Sequence, residues 1–141
     1  MSTRSREDHV ETIRVSTDRR EQLVDITAEV RGSVEASGVR SGVCVLWSLH
    51  TTAGLTVNES ADPDVARDIE DWLAEAAPEG AGYRHREGNA DSHIKTSLVG
   101  SGETLIVEEG TLQLGTWQGV FLCEFDGPRT RDVAIQVLPR P

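Results

Sequence analysis

Apolar and polar positions change period several times along this chain, and each change marks an element. From His9 to Ser16 the residues alternate, with Val10, Thr12 and Arg14 on one side and Glu11, Ile13 and Val15 on the other. That period of two predicts a strand. Asp18-Arg19-Arg20 reads as a polar turn and Gln22 to Ile26 as a second short strand, so a hairpin is expected. Thr27 is placed to start a helix. Val30 and Val34 lie four apart inside it, and Gly38 stands just past its end as a left-handed stop. Gly42 to Leu49 is almost wholly apolar and rich in β-branched residues, which predicts a buried strand. Gly54 to Asn58 continues as an extended segment ending at Glu59.

Asp62-Pro63 gives the clearest helix start, with Asp at the cap and Pro at the first helical position. Val65, Ile69, Trp72, Leu73 and Ala76 then recur at helical spacing. Pro78, Gly80 and Gly82 end that helix and open a loop. Ala90, Ile94 and Leu98 are spaced by four and predict a short helix over Asn89 to Val99. Asn89 or Asp91 would cap it, Gly100 would stop it, and Ala90, Ile94 and Leu98 would face the core. Beyond it the pattern returns to strands. Thr104 to Val107 and Thr111 to Leu114 flank a Glu-Glu-Gly turn, Gly119 to Phe125 follows, and Asp132 to Leu138 closes the chain after the turn signal Asp126-Gly127-Pro128-Arg129. Seven or eight strands with two or three helices predict an α+β domain with a largely antiparallel sheet.

Length and charge narrow the function. At 141 residues the chain fits one domain, expected over 9–141 behind a flexible tail at 1–8. No apolar run of membrane-spanning length and no signal-peptide pattern occurs, which makes the cytoplasm the expected location. A formal net charge of −10 argues against nucleic acid and against an anionic membrane surface as partners. An anionic small molecule would need a local cluster of donors. Cys44 and Cys123 sit in apolar runs without metal-ligand spacing and read as buried thiols.

The segment from His85 to Gly100 is the most polar stretch inside the fold and the first candidate for a site. It holds His85, His93, Asn89, Asp91, Ser97 and Lys95, the single lysine beside thirteen arginines. Lys95 near a helix N-terminus could hold a phosphate or carboxylate; it could equally pair with Asp91 one turn away. His50, His85 and His93 could together hold a divalent ion such as Zn²⁺, although their spacing is not diagnostic. Glu124 interrupts an apolar strand, and alternation would turn it outward. No nucleophile-elbow, P-loop or dinucleotide fingerprint is present.

Several motifs in one order carry a resemblance. His50-Thr51-Thr52-Ala53, Asn58-Glu59, Asp62-Pro63-Asp64-Val65, Gly88 to Leu98, Leu114 to Gly119 and Phe125 to Arg129 are together similar to the YjbQ family, whose members are often labelled secondary thiamine-phosphate synthases. The resemblance implies a compact α+β fold whose strands form a sandwich-like β-sheet, and a homotrimer with sites near subunit contacts. It implies a pocket that includes His50, Glu59, His85, Asn89, Asp91, His93, Lys95 and Gln118, with a divalent ion (Zn²⁺ or Mg²⁺) as a plausible occupant. The activity it implies joins a pyrimidine pyrophosphate to a thiazole phosphate. In that reading Lys95 holds phosphate, Glu59 and Asp91 hold or orient metal, and His50 or His93 moves protons. Thr51, Thr52, Asn89, Ser97, Trp117, Gln118 and Arg129 are the candidate substrate contacts. Arg84 and Arg86 could add charge, and Trp47 or Trp117 a ring face. A metal-dependent hydrolase or lyase and a non-catalytic binder of small anions are the alternatives.

Overall fold

The computed structural model describes residues 10–141; His9 and the expected tail lie outside the described residues. Among the described residues eight strands and three helices occur. Five strands form one antiparallel sheet in the order β1 (Glu11–Ser16), β8 (Thr130–Pro139), β3 (Gly42–Ser48), β5 (Gly102–Glu108) and β6 (Thr111–Leu112). The other three, β2 (Gln22–Asp25), β7 (Gln118–Glu124) and β4 (Ala53–Glu59), form a second antiparallel sheet. The main core lies between the sheets, where Ile13, Leu46, Val107 and Ile135 of the first face Leu55, Val120 and Leu122 of the second. Helix α1 (Thr27–Ser37) adds Val30 and Val34 to this core and ends at Gly38 in the left-handed conformation, as its sequence requires.

A smaller core covers the far side of the three-stranded sheet. Leu23, Phe121, Cys123 and Phe125 pack there with Leu73 and Ile69 of α2 (Pro63–Ala76) and with Val99 of α3 (Ala90–Val99). The Asp62 carboxylate accepts the Asp64 N–H at 2.9 Å, so the Asp-Pro start of α2 forms as expected. Both cysteines are free and buried, and burial pushes their thiols up, to about 11 for Cys44 and about 12 for Cys123.

Three expectations fail because partners distant in sequence decide them. The first two strands do not form a hairpin: β1 pairs with β8 and β2 with β7, in different sheets. Glu124 is fully buried rather than turned outward, because β7 is the middle strand of a sheet covered on both faces. The third concerns α3. Its buried residues are Asp91, Ser92, Lys95 and Thr96, while Ile94 and Leu98 are exposed. The helix exists where apolar spacing places it, but it presents its polar face inward.

Candidate functional site

The short connection from β3 to β4 carries His50, Thr51 and Thr52. Ser48 ties its two ends together: its hydroxyl donates to the Ala53 carbonyl at 2.7 Å and accepts the His50 N–H at 3.3 Å. His50 Nε2 accepts the backbone N–H of Asp132 in β8 at 2.8 Å. Burial first, then the neighbouring Arg131 charge, lower the affinity of this imidazole for a second proton; Asp132 and Glu124 oppose them more weakly. A neutral ring whose Nε2 accepts must carry its proton on Nδ1. His50 is therefore a fixed N–H donor.

Behind the turn lies a buried ion pair. Arg131 donates through Nε to both Glu124 oxygens, at 2.9 and 3.0 Å, and through Nη2 to Glu124 as well. The same Nη2 donates to the Thr52 hydroxyl at 2.8 Å and to the Thr52 carbonyl at 3.2 Å. Glu124 also accepts the Thr17 hydroxyl and the Asp126 N–H. Burial would raise the Glu124 pKa, but Arg131 and these donors leave it below the usual value. Thr52 thus serves the frame rather than an open surface; Thr51 is exposed.

Helix α3 forms the opposite wall. His93, Thr96 and Ser97 line a cavity of about 550 Å³ together with Trp47, His50 and Thr51, a volume within the range of small-molecule sites. The Ser97 hydroxyl donates to the His93 carbonyl at 2.9 Å. The His85 ring meets His93 edge-on, with centroids 5.2 Å apart and planes at 84°. His85 comes from the loop after α2, where its Nε2 lies 3.6 Å from Glu87. Arg84 and Arg86 flank it on that loop, exposed and with no ion-pair partner among the described residues.

Lys95 does not reach this cavity. It is fully buried, donating to Asp91 Oδ2 at 2.7 Å and to Glu21. Asp91 is also held by both terminal nitrogens of Arg20, at 3.0 Å each. Burial works against the Asp91 charge, yet Arg20 and Lys95 together hold its pKa below the ordinary value. The i,i+4 pairing with Asp91 is the one the structure adopts, and the polar inner face of α3 exists to make this cluster.

The remaining candidates fall elsewhere. Asn89 donates to Asp126 Oδ2 at 2.9 Å, which also accepts from Arg129 at 3.2 Å, and Asn89 Oδ1 is buried without a partner among the described residues. Glu59 pairs with Gln118 at the opposite end of β4 and β7, beside the exposed Trp117. Six strand steps separate Glu59 from Ala53, so this group lies roughly 20 Å from the His50 turn. Within one chain the candidate site residues are therefore dispersed. His50, Thr51, His93 and Ser97 share a cavity, Asp91 and Lys95 form a buried cluster, Asn89 and Arg129 meet on Asp126, and Glu59, Trp117 and Gln118 stand apart.

The three histidines do not fit a three-ligand metal site within one chain. His50 has committed Nε2 and carries a proton on Nδ1, which leaves His85 and His93 as a pair. Among the described residues no group of three or more His, Cys, Asp or Glu side chains is gathered as metal donors.

Arg131, Glu21 and Arg20 escaped the sequence reading. Arg131 carried a usable signal: it shares its parity with Val133, Ile135 and Val137 on β8, so alternation itself turns it inward. Arg20 and Glu21 sit in a turn and carried none.

Residues 11–140 match the family described as UPF0047 protein YjbQ-like. The chain belongs to the YjbQ family. It is 46% identical to a UPF0047 protein of Methanocaldococcus jannaschii over 88% of this chain and 90% of that one. It is 45% identical to YugU of Bacillus subtilis, over 92% and 98%. Among solved structures, a YjbQ-type protein of unknown function from Sulfolobus solfataricus superposes with a TM-score of 0.90 at 35% identity, covering 94% of this chain and 97% of its own. An uncharacterised YjbQ/UPF0047 member from Clostridium acetobutylicum gives 0.89 at 47%, covering 91% and 99%. None of these names assigns the YjbQ family a reaction.

Proposed function

We propose that this YjbQ-family chain is a thiamine-phosphate-synthase-like transferase acting on small phosphorylated ring compounds in the cytoplasm. One observation carries the reading. The His50–His93 cavity combines a fixed N–H donor, hydroxyls and an aromatic face, and the loop beside it bears Arg84 and Arg86, without an ion-pair partner among the described residues. Trp47 offers its ring to a flat heterocycle. The Nδ1–H of His50 and the hydroxyl of Thr51 donate to phosphate oxygens, and Ser97 accepts from the ring substituents. Arg84 and Arg86 supply the positive charge that a −10 chain otherwise lacks near a phosphate. His93, whose ring nitrogens have no hydrogen-bond partner among the described residues, is the group available to move a proton.

In the reaction, the thiazole nitrogen forms a bond to the methylene carbon of the pyrimidine, and the bond from that carbon to pyrophosphate breaks. The electron pair leaves with the pyrophosphate. Donors aimed at the departing oxygens accelerate such a step by stabilising charge as it develops. The distance of Glu59, Trp117 and Gln118 from His50 fits a homotrimer in which a second copy brings that group to the cavity.

The test is to incubate purified protein with both substrates and to measure thiamine phosphate and pyrophosphate together. Equimolar appearance of the two, lowered at least tenfold by His93→Gln, supports the proposal. A reading as a non-catalytic anion binder rests on the same donors, and it predicts ligand-dependent thermal stabilisation with neither product.

A further inference from the structure

The His50 turn is exposed at Thr51 and tied to the interior behind it, where Arg131 reaches Thr52 from a buried ion pair. Arg131 is 1% exposed and Glu124 fully buried. An ion pair this deep costs desolvation that a pair of apolar residues would avoid, so its presence calls for something beyond stability. What distinguishes this pair is where the remaining guanidinium donor goes. Nη2 reaches out of the pair to the hydroxyl and carbonyl of Thr52, two residues from His50. The next backbone N–H along β8, that of Asp132, donates to His50 Nε2. The Thr52 carbonyl also accepts the Phe125 N–H, from the residue after Glu124. Both ends of the ion pair therefore hold the same turn.

We propose that Arg131 is the positioning residue of the His50 cavity. Fixed on Glu124, its guanidinium clamps Thr52, and the strand that carries it delivers the Asp132 N–H that sets which His50 nitrogen bears the proton. Arg131 touches no ligand. It acts through His50, by fixing Nδ1 as the protonated nitrogen of a ring that lines the cavity. A lysine cannot replace it, because one ammonium lacks the planar fork that serves Glu124 and Thr52 together. The inference rests on the proposed function only in taking the cavity as the ligand site.

The experiment reads the clamp and the cavity separately. Histidine labelled with ¹⁵N in the full chain reports the His50 tautomer directly, and titration with inorganic phosphate reports binding. The wild type is expected to show Nδ1 protonated and Nε2 bare. Arg131→Lys keeps the charge but loses the fork, and Thr52→Val removes one acceptor with little change of shape, so a folded variant is available if Arg131→Lys does not fold. Either folded variant is expected to show a mixed His50 tautomer and at least fivefold weaker phosphate binding, and Thr52→Ser to restore both. Folded variants with the wild-type tautomer overturn the positioning role, whatever phosphate does. A wild type with the expected tautomer but no phosphate binding leaves the clamp standing and overturns the cavity as a phosphate site.

Discussion

His50 shows how one side chain's protonation follows from its surroundings. Burial and Arg131 lower its pKa, with Arg129 adding slightly and Asp132 and Glu124 opposing. The folded chain thus binds this proton less readily than the unfolded chain does. Its contribution to stability is complete above the unfolded value, about 6.5, and is lost as pH falls through and below it. Thermal melts of wild type and His50→Gln between pH 7.5 and 5 check this: the wild type should lose more stability on acidification than the variant. Lys95 gives the opposite kind of case. Its ammonium is consumed by Asp91 and Glu21, so Lys95→Met leaves buried carboxylate charge poorly matched and should cost about 3 kcal/mol or more in urea unfolding. A Lys95→Met protein of full stability with selectively lost ligand binding would show instead that Lys95 meets the ligand.

Helix α3 shows the limit of periodicity. Apolar spacing located it to within a residue, yet its inward face is Asp91, Ser92, Lys95 and Thr96. The spacing of Ala90, Ile94 and Leu98 cannot reveal that inversion, because a polar face turns inward only when partners such as Arg20, Glu21 and the Phe125 carbonyl, which accepts from Ser92 at 2.6 Å, come from distant sequence. Accordingly, Leu98→Gln on the exposed side should change stability by less than about 0.5 kcal/mol, whereas Asp91→Leu should leave little folded protein; circular dichroism melts separate the two. The seat of α3 on β4 depends on Gly54. A Cβ there would stand 2.5 Å from the Gly100 carbonyl oxygen, the atom that accepts the Leu55 N–H at 3.0 Å. Gly54→Ala must push the end of α3 away, and with it the His93 wall. Lower thermal stability together with weakened binding in the cavity is the expected result.

Across the whole molecule, sequence pattern served best where a strand or helix borders one core. The strands, α1 and the capped α2 were legible because local spacing and caps decide them. The β1–β2 hairpin and the outward Glu124 were misread because the choice between sheets, and the cover on both faces of β7, are decided by long-range pairing. The site was legible in part. Motif order brought His50, Thr51, His93 and Ser97 to attention, and these do share a cavity. Lys95 and Thr52 belong to the buried frame behind it, and Glu59, Trp117 and Gln118 stand at the far end of the small sheet. If a second copy completes the site, light scattering should give a trimer mass, and Trp117→Ala should weaken binding at a cavity that its own chain does not bring near.

The central claim is that the His50–His93 cavity holds the phosphorylated ligand. A crystal structure of the protein soaked with the thiazole phosphate tests it most directly. The account predicts the ring against Trp47 and a phosphate oxygen within hydrogen-bond distance of His50 Nδ1. A ligand bound elsewhere in the chain, with this cavity holding only solvent, would contradict it.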